Sequence, residues 1–275
     1  MSVFEALGDA VGGGNGCCER QNVYHLYSAE DGKEVYRVEE ESGCCCRVFC
    51  NPQHKFNLNV IDVETKQQVM TFHHPFKCWP CCCTCSNMCR DEMTVFDGRV
   101  GLDNAEALAS AQPIGHVKQP MCGGGLAPTL EIWDQATNVE GVVTGKGDPA
   151  FTVRGPTCCI GGLIGECLCD TDFNVYPGTN REGELSAKIA KLGANREGAK
   201  GIAKELFTDS DNFQIDFPAG ATPSVKTGLL ATTVLIDYMF FERLNSLIFY
   251  LWNVGTDLTL SHMTLLRRNH RNINT

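Results

Sequence analysis

The sequence predicts a mainly β protein built as an antiparallel sandwich or barrel. From Val23 onward, short runs rich in Val, Tyr and Phe recur at near-regular spacing. They alternate apolar and polar residues with period two, and turn residues separate them. Few helical stretches interrupt the pattern, which argues against alternating strand–helix units. A chain of 275 residues is long enough to bury one large core or two small ones, so fibrous and wholly disordered readings are set aside.

Taken in order, residues 1–22 form a flexible Gly-rich arm, with Gly12, Gly13, Gly14 and Gly16 leading into Cys17 and Cys18. Ser2 stands where N-myristoylation needs glycine. The runs NVYHLYS and KEVYRVEEES, split by AEDG, predict a first hairpin. FNLNVIDVETKQQVMTFHH predicts a second, with Phe56, Leu58 and Val60 on one face, and TLEIWDQATNVEGVVTG a third. Ala187–Phe207 reads as an amphipathic helix, weakened by Gly193, Gly198 and Gly201.

Residues 225–242, VKTGLLATTVLIDYMFFE, predict an apolar helix whose polar members are few: Thr232, Thr233 and Asp237 within the apolar stretch. A spanning helix needs about 20 apolar residues, and stretches of about 10–14 more often lie in a protein core. Burial in protein is therefore the expectation. Arg243, Arg267, Arg268 and Arg271 follow the segment, a bias that would keep the tail cytosolic. An acid within such a helix is costly unless paired, so Asp237 is read as a hydrogen-bonded core residue in preference to a functional polar group.

Composition limits the partners. Asp plus Glu number 33 against 23 Lys plus Arg, a formal charge of −10, so no nucleic-acid partner is expected and charge alone does not hold the chain to anionic lipid. The 17 cysteines stop at Cys169, and MSVFEALGDAVGGG lacks the apolar core of a secretory signal, which disfavours a disulfide scaffold. PFKCWPCCCTCSNMC places Cys78, Cys81, Cys82, Cys83, Cys85 and Cys89 together. Three chemistries fit: S-acylation of adjacent cytosolic thiols, thiolate ligation through the two-residue gaps Cys78–Cys81 and Cys82–Cys85, and redox or structural thiols. Phe76, Trp79 and Pro80 suit a lipid interface and favour the first. Cys44, Cys45, Cys46, Cys158, Cys159, Cys167 and Cys169 read as small buried apolar residues.

Several motifs in a fixed order make the chain resemble the phospholipid scramblase family. They are Glu40-Glu41-Ser42 through Cys46-Arg47 to Cys50 and Pro52, Pro75-Phe76-Lys77-Cys78 with the cysteine cluster, and Ile114-Gly115-His116-Val117. Gly155-Pro156-Thr157-Cys158, Cys167 through Phe173, Phe207 through Phe213, Phe217-Pro218 and Leu235 through Glu242 follow. The resemblance implies a Tubby-like closed antiparallel β-barrel enclosing a hydrophobic C-terminal helix, with a scramblase-like domain over 23–242. It implies calcium-stimulated, ATP-independent, bidirectional movement of phospholipids between leaflets, a lipid translocator rather than a bond-making enzyme. It further implies palmitate on Cys81, Cys82, Cys83 and Cys85, and a place on the cytoplasmic face of the plasma membrane.

The family's calcium loop would map onto Asp209 through Gly220, with Asp209 and Asp211 as ligands. Hard oxygen donors at alternate positions suit calcium, but Phe213, Gln214 and Gly220 occupy places where a ligand, a turn glycine and a final acid are expected. A rim-acid strand with Asp209, Asp211, Phe213, Ile215 and Phe217 on one face is the competing reading. Lys188 and Lys191 stand where some family members carry a nuclear import segment, giving a nuclear pool or simply a solvated helix face. The Pro-rich arm of several relatives is absent, and residues 243–275 form an atypical extension. Two rival functions remain: an acyl-anchored Tubby-like lipid-binding adaptor or regulator, and a thiol-ligated metal protein. One short helix per chain cannot enclose a headgroup path, so direct scrambling would require a homo-oligomer.

Overall fold

The computed structural model describes residues 3–8, 21–43, 54–77, 86–124, 127–156, 171–192 and 212–241. Eleven strands form one continuous antiparallel sheet. In chain order they are β2 (Val23–Ser28), β3 (Glu34–Ser42), β4 (Phe56–Asp62), β5 (Gln68–His74), β6 (Glu92–Asp97), β7 (Pro113–Lys118), β8 (Thr129–Trp133), β11 (Phe151–Arg154), β12 (Thr171–Pro177), β13 (Ala187–Leu192) and β14 (Asn212–Asp216). Neighbours in the sheet are neighbours in this order, so nearly every connection is a simple reversal. In the segment expected as an N-terminal arm, the backbone of β1 (Val3–Gly8) is registered against β14, with Phe4 opposite Ile215, and against β2, with Ala6 opposite Leu26.

Period-two patterning explains which face packs. Tyr24 and Leu26, Val38, then Phe56, Leu58 and Val60, Phe72, Met93 and Val95, and Phe213 and Ile215 are all buried, as alternation on a one-sided strand requires. The expected first and second hairpins are observed as β2–β3 and β4–β5. The third expected hairpin resolves differently. TLEIW is β8 of the main sheet, paired with β7 and β11, while β9 (Ala136–Val139) and β10 (Val142–Gly145) form a separate two-stranded ribbon. Glu140 and Gly141 both have positive φ, 52° and 86°, the tight reversal that matches strand twist.

The amphipathic helix expected at 187–207 is corrected over its described part. Ala187–Leu192 is strand β13, paired on both sides with β12 and β14, and its Ile189 is fully buried. Two strands offering open hydrogen-bonding edges outweigh the weak helical pattern of a segment followed by Gly193. Lys188 reaches Asp172 at 3.0 Å, but Lys191 is buried, so the two lysines do not form a solvated helix face.

The apolar segment is helix α2 (Pro223–Ile236), running on as a wider π turn over Asp237–Phe241; the short helix α1 (Ala105–Ser110) lies outside the core. Pro223 at its first turn and the Thr222 side chain, which accepts from Val225 N at 3.3 Å, start α2. From Gly228 to Ile236 it is buried around its whole circumference, from Leu229 and Leu235 at zero exposure to Leu230 and Val234 on other faces. It touches β6, β7 and β8 as well as β14, so the sheet curls around it. Gly228 permits this approach, since a Cβ there would meet Ile132 Cγ2 at 2.6 Å. Each fully buried Leu or Ile of this helix contributes about 1.5–3 kcal/mol relative to exposure.

Candidate functional site

Antiparallel order sends strand ends to two opposite rims of the sheet. One rim collects the starts of β2, β4, β6, β8, β12 and β14, the ends of β3, β5, β7, β11 and β13, and the C-terminal end of α2. Two polar clusters sit there, among the strand ends.

The first cluster fastens α2 to the sheet. Val38 and Glu40 share the inward face of β3, and period two thus drives a carboxylate into the core. Tyr238 OH donates to Glu40 Oε2 at 2.8 Å, and Asn22 N donates to the same oxygen at 3.0 Å. Ser42 Oγ donates to Glu40 Oε1, and His54 Nε2 lies 3.2 Å from it. Burial would raise Glu40, but these hydrogen bonds, that of His54 foremost, outweigh it and hold the carboxyl below its ordinary range. Asn22 Nδ2 also donates to Tyr238 OH at 2.9 Å, and Tyr24 OH donates to Asp237 Oδ2 at 2.9 Å. The Phe56 ring stacks on Tyr238 at 4.4 Å and on His74 at 4.6 Å, joining the polar cluster to the apolar core. Asp237, half-buried at the helix end, is thus hydrogen-bonded through Oδ2.

The second cluster lies under the segment that leads into the cysteines. Glu92, at the start of β6, accepts from Lys77 Nζ through Oε1 and from Lys118 Nζ through Oε2, each at 2.5 Å. His116 Nε2 stands 3.7 Å from Glu92 Oε2, too far for a hydrogen bond, and has no hydrogen-bond partner among the described residues, while its Nδ1 is 3.1 Å from Thr94 Oγ1. Burial opposes the charge on Glu92, but the two ammonium groups prevail and lower it. Burial also lowers Lys77, against the pull of Glu92, and pushes His116 down to about 4. Lys77 is 4% exposed, and its Nζ also reaches Asn87 O at 3.4 Å, bracing the far side of the cysteine segment.

Of the residues singled out from sequence, Cys81, Cys82, Cys83 and Cys85 lie between Lys77 and Ser86, outside the described residues, as do Asp209 and Asp211 just before β14. Asn212–Asp216 is a strand hydrogen-bonded to β13, with Phe213 and Ile215 inward. An ion-wrapping loop therefore does not run unbroken over 209–220, because five extended residues separate its halves by about 16 Å. Gly220, at the final ligand place, has φ +73° in the turn before α2, a conformation that favours glycine. Among the described residues, no group of three or more His, Cys, Asp and Glu is placed to hold a metal ion.

Thr232 and Thr233 return their hydroxyls to α2 itself, donating to Gly228 O at 2.7 Å and Leu229 O at 2.9 Å. They offer no polar track along the helix. Among the described residues, no helix is long and apolar enough to cross a membrane. Sequence reasoning missed the Glu92 cluster altogether: Lys77, Glu92, His116 and Lys118 come from three separated segments. Glu40 had a readable signal, an acid on the inward parity of a strand.

The family model described as Scramblase matches residues 16–243 of this chain, which takes in the whole sheet from β2 to β14 and α2. Phospholipid scramblase 1 of Homo sapiens is 28% identical over 83% of the chain and 59% of its own length. Phospholipid scramblase 2 of Bos taurus is 27% identical over 82% and 62%, and phospholipid scramblase family member 5 of Homo sapiens is 27% identical over 82% and 68%. The chain thus spans about three-fifths of the length of the first two relatives. No solved structure matches.

Proposed function

The chain belongs to the scramblase family, and from that premise we propose that it moves phospholipids between membrane leaflets in both directions without ATP, as a lipid translocator rather than a bond-making enzyme. The observation that carries this reading is the uninterrupted family match over residues 16–243, covering the sheet and the buried helix alike. In this reading the sheet closes through β1 into a Tubby-like barrel around α2. Palmitate on Cys81, Cys82, Cys83 and Cys85 holds it to the cytoplasmic face of the plasma membrane, because two or more acyl chains turn marginal binding into stable anchoring. Calcium stimulation would rest on Asp209 and Asp211, supported by the preference of calcium for carboxylate oxygen.

A second reading is favoured by one specific observation. Helix α2 is consumed by the core and its threonines are satisfied internally, which suits an acyl-anchored lipid-binding adaptor or regulator. Scrambling by this architecture needs several copies, or a bilayer thinned at its edge, to lower the cost of carrying a headgroup through hydrocarbon.

Reconstitution decides between them. Purified chain in vesicles with one labelled leaflet, with and without calcium, is expected to equilibrate the label. Leaflet asymmetry that survives at high protein-to-lipid ratio leaves the adaptor. Metal analysis of protein purified under reduction tests the thiol-ligated alternative, and a stoichiometric ion would displace both lipid readings.

A further inference from the structure

The sheet's topology sorts the chain's cysteines. All 17 belong to connections that leave and return at one rim: 9–22, 43–55, 75–91, 119–128 and 155–170. Each cysteine is within four residues of a described residue at that rim, a chain reach of at most about 14 Å. The connections of the opposite rim, 29–33, 63–67, 98–112, 134–150, 178–186 and 217–222, contain none. Nothing in the sequence alone displays this, because the cysteines are spread from Cys17 to Cys169 over five separate segments.

Among the described residues, large exposed apolar side chains stand at both rims, three at each, and what distinguishes the rims is the charge around them. Phe76, Met88 and Met121 are 57%, 66% and 68% exposed and stand on neighbouring stems. Lys77 Nζ donates to Asn87 O, Arg90 Nη1 donates to Gln119 O at 3.5 Å, and Asp91 N donates to Gln119 Oε1 at 3.0 Å. The cysteine segment begins beside Phe76 and ends beside Met88, and Cys122 is exposed next to Met121. Charge is divided between the rims. Connections of the opposite rim carry ten acidic residues against five basic, whereas those of the cysteine rim, 193–211 included, are near balance at nine against eight. The exposed apolar residues of the opposite rim, Val139, Val142 and Leu185, stand beside Glu140 and Glu184.

We propose that the cysteine rim is the face laid against the lipid bilayer, with Phe76, Met88 and Met121 entering the interface and the acidic rim pointing into water. This orientation rests on the membrane association proposed above and adds to it which surface meets lipid. Three flexible or aromatic side chains supply apolar burial where acyl chains on neighbouring thiols would enter. An anionic leaflet repels the acidic rim and is nearly indifferent to the other. The C-terminal end of α2, with Asp237 and Tyr238, then lies on the membrane side of the fold.

The test uses the full chain isolated with its native modifications from membranes and bound to vesicles of phosphatidylcholine with one-fifth phosphatidylserine. Hydrogen exchange is compared with the same chain released by hydroxylamine. Slower exchange by about threefold or more is expected at 75–77, 86–90 and 119–122, with 139–142 and 182–185 unchanged. Protection at the latter segments, or at neither set while the chain stays bound, overturns the orientation. A second measurement avoids dependence on acylation. In released chain, Phe76→Ser/Met88→Ser/Met121→Ser is expected to weaken vesicle co-sedimentation about tenfold, and Val139→Ser/Val142→Ser/Leu185→Ser less than about twofold. Equal losses overturn the proposal. Failure of the modified chain to bind vesicles at all is a separate result that removes the membrane reading itself, and the orientation with it.

Discussion

Two glutamates at the same rim, Glu40 buried and Glu92 partly buried, are held in opposite ways. Glu40 is surrounded by hydroxyls, a backbone N–H and one imidazole, and three of its partners come from segments that sequence separates widely: Asn22, His54 and Tyr238. Glu92 lies between two ammonium groups, from Lys77 and Lys118. The first arrangement stabilises an anion by hydrogen bonding and ties the helix to the sheet; the second does so by opposite charge and ties the stem of the cysteine segment to β6 and β7. The difference teaches that helix anchorage here is directional and salt-insensitive, while the cysteine segment is braced by charges whose partners remain costly when one is removed.

Removing the carboxylates gives the largest effects. Glu40→Leu removes the acceptor shared by the Tyr238 hydroxyl, the Asn22 backbone N–H, the Ser42 hydroxyl and His54, and a loss of about 3–5 kcal/mol is expected in denaturant unfolding. Glu92→Leu leaves two lysines facing each other at a slightly wetter site, and about 2–4 kcal/mol is expected. Adding salt separates the two: the Glu92→Leu deficit should shrink in 0.5 M salt as repulsion between the lysines is screened, and the Glu40→Leu deficit should not. Equal salt responses would dissolve the distinction.

Acid sharpens the comparison. His73 and His116 are held neutral by burial, with values lowered from 6.5 to about 4. The unfolded chain therefore binds protons that the fold refuses, so stability declines as pH falls from about 6.5 toward 4. Glu40 and Glu92 are lowered too, so their contribution is present above the ordinary glutamate range and is lost only as pH falls below it. Melting temperature should thus drop in two stages, histidines first. His116→Gln, which keeps a polar partner for Thr94, is expected to reduce the upper stage and leave the lower one; an unchanged upper stage would remove His116 as its source.

Smaller effects test the helix end and the surface. Tyr238→Phe removes the donor to Glu40 but keeps the ring stack on Phe56, and about 1–2 kcal/mol is expected. The exposed pair Lys188–Asp172 at 3.0 Å should contribute less than about 0.5 kcal/mol to a Lys188→Ala comparison by thermal unfolding.

Sequence patterning made the first two hairpins and the inward face of Phe56, Leu58 and Val60 legible, because period two on a half-buried strand needs no tertiary information. The length of the apolar segment similarly pointed to a core helix. The expected third hairpin and the expected helix over its described part, 187–192, resolve differently for a shared reason: strand partners outside the window decide them. TLEIW found β7 and β11, and Ala187–Leu192 found β12 and β14. Cys81, Cys82, Cys83, Cys85, Asp209 and Asp211 lie outside the described residues, so their roles stand on chemistry and resemblance.

By itself, then, the sequence determined the β character, the buried apolar helix and the density of thiols, since alternation, apolar length and composition are local properties of the chain. Only the tertiary structure decided that Glu40 meets Tyr238 across 198 positions, that Glu92 sits between two lysines, and that every cysteine-bearing connection leaves from one rim. Those outcomes depend on strand order and register, which fix where distant segments meet and which no local pattern encodes.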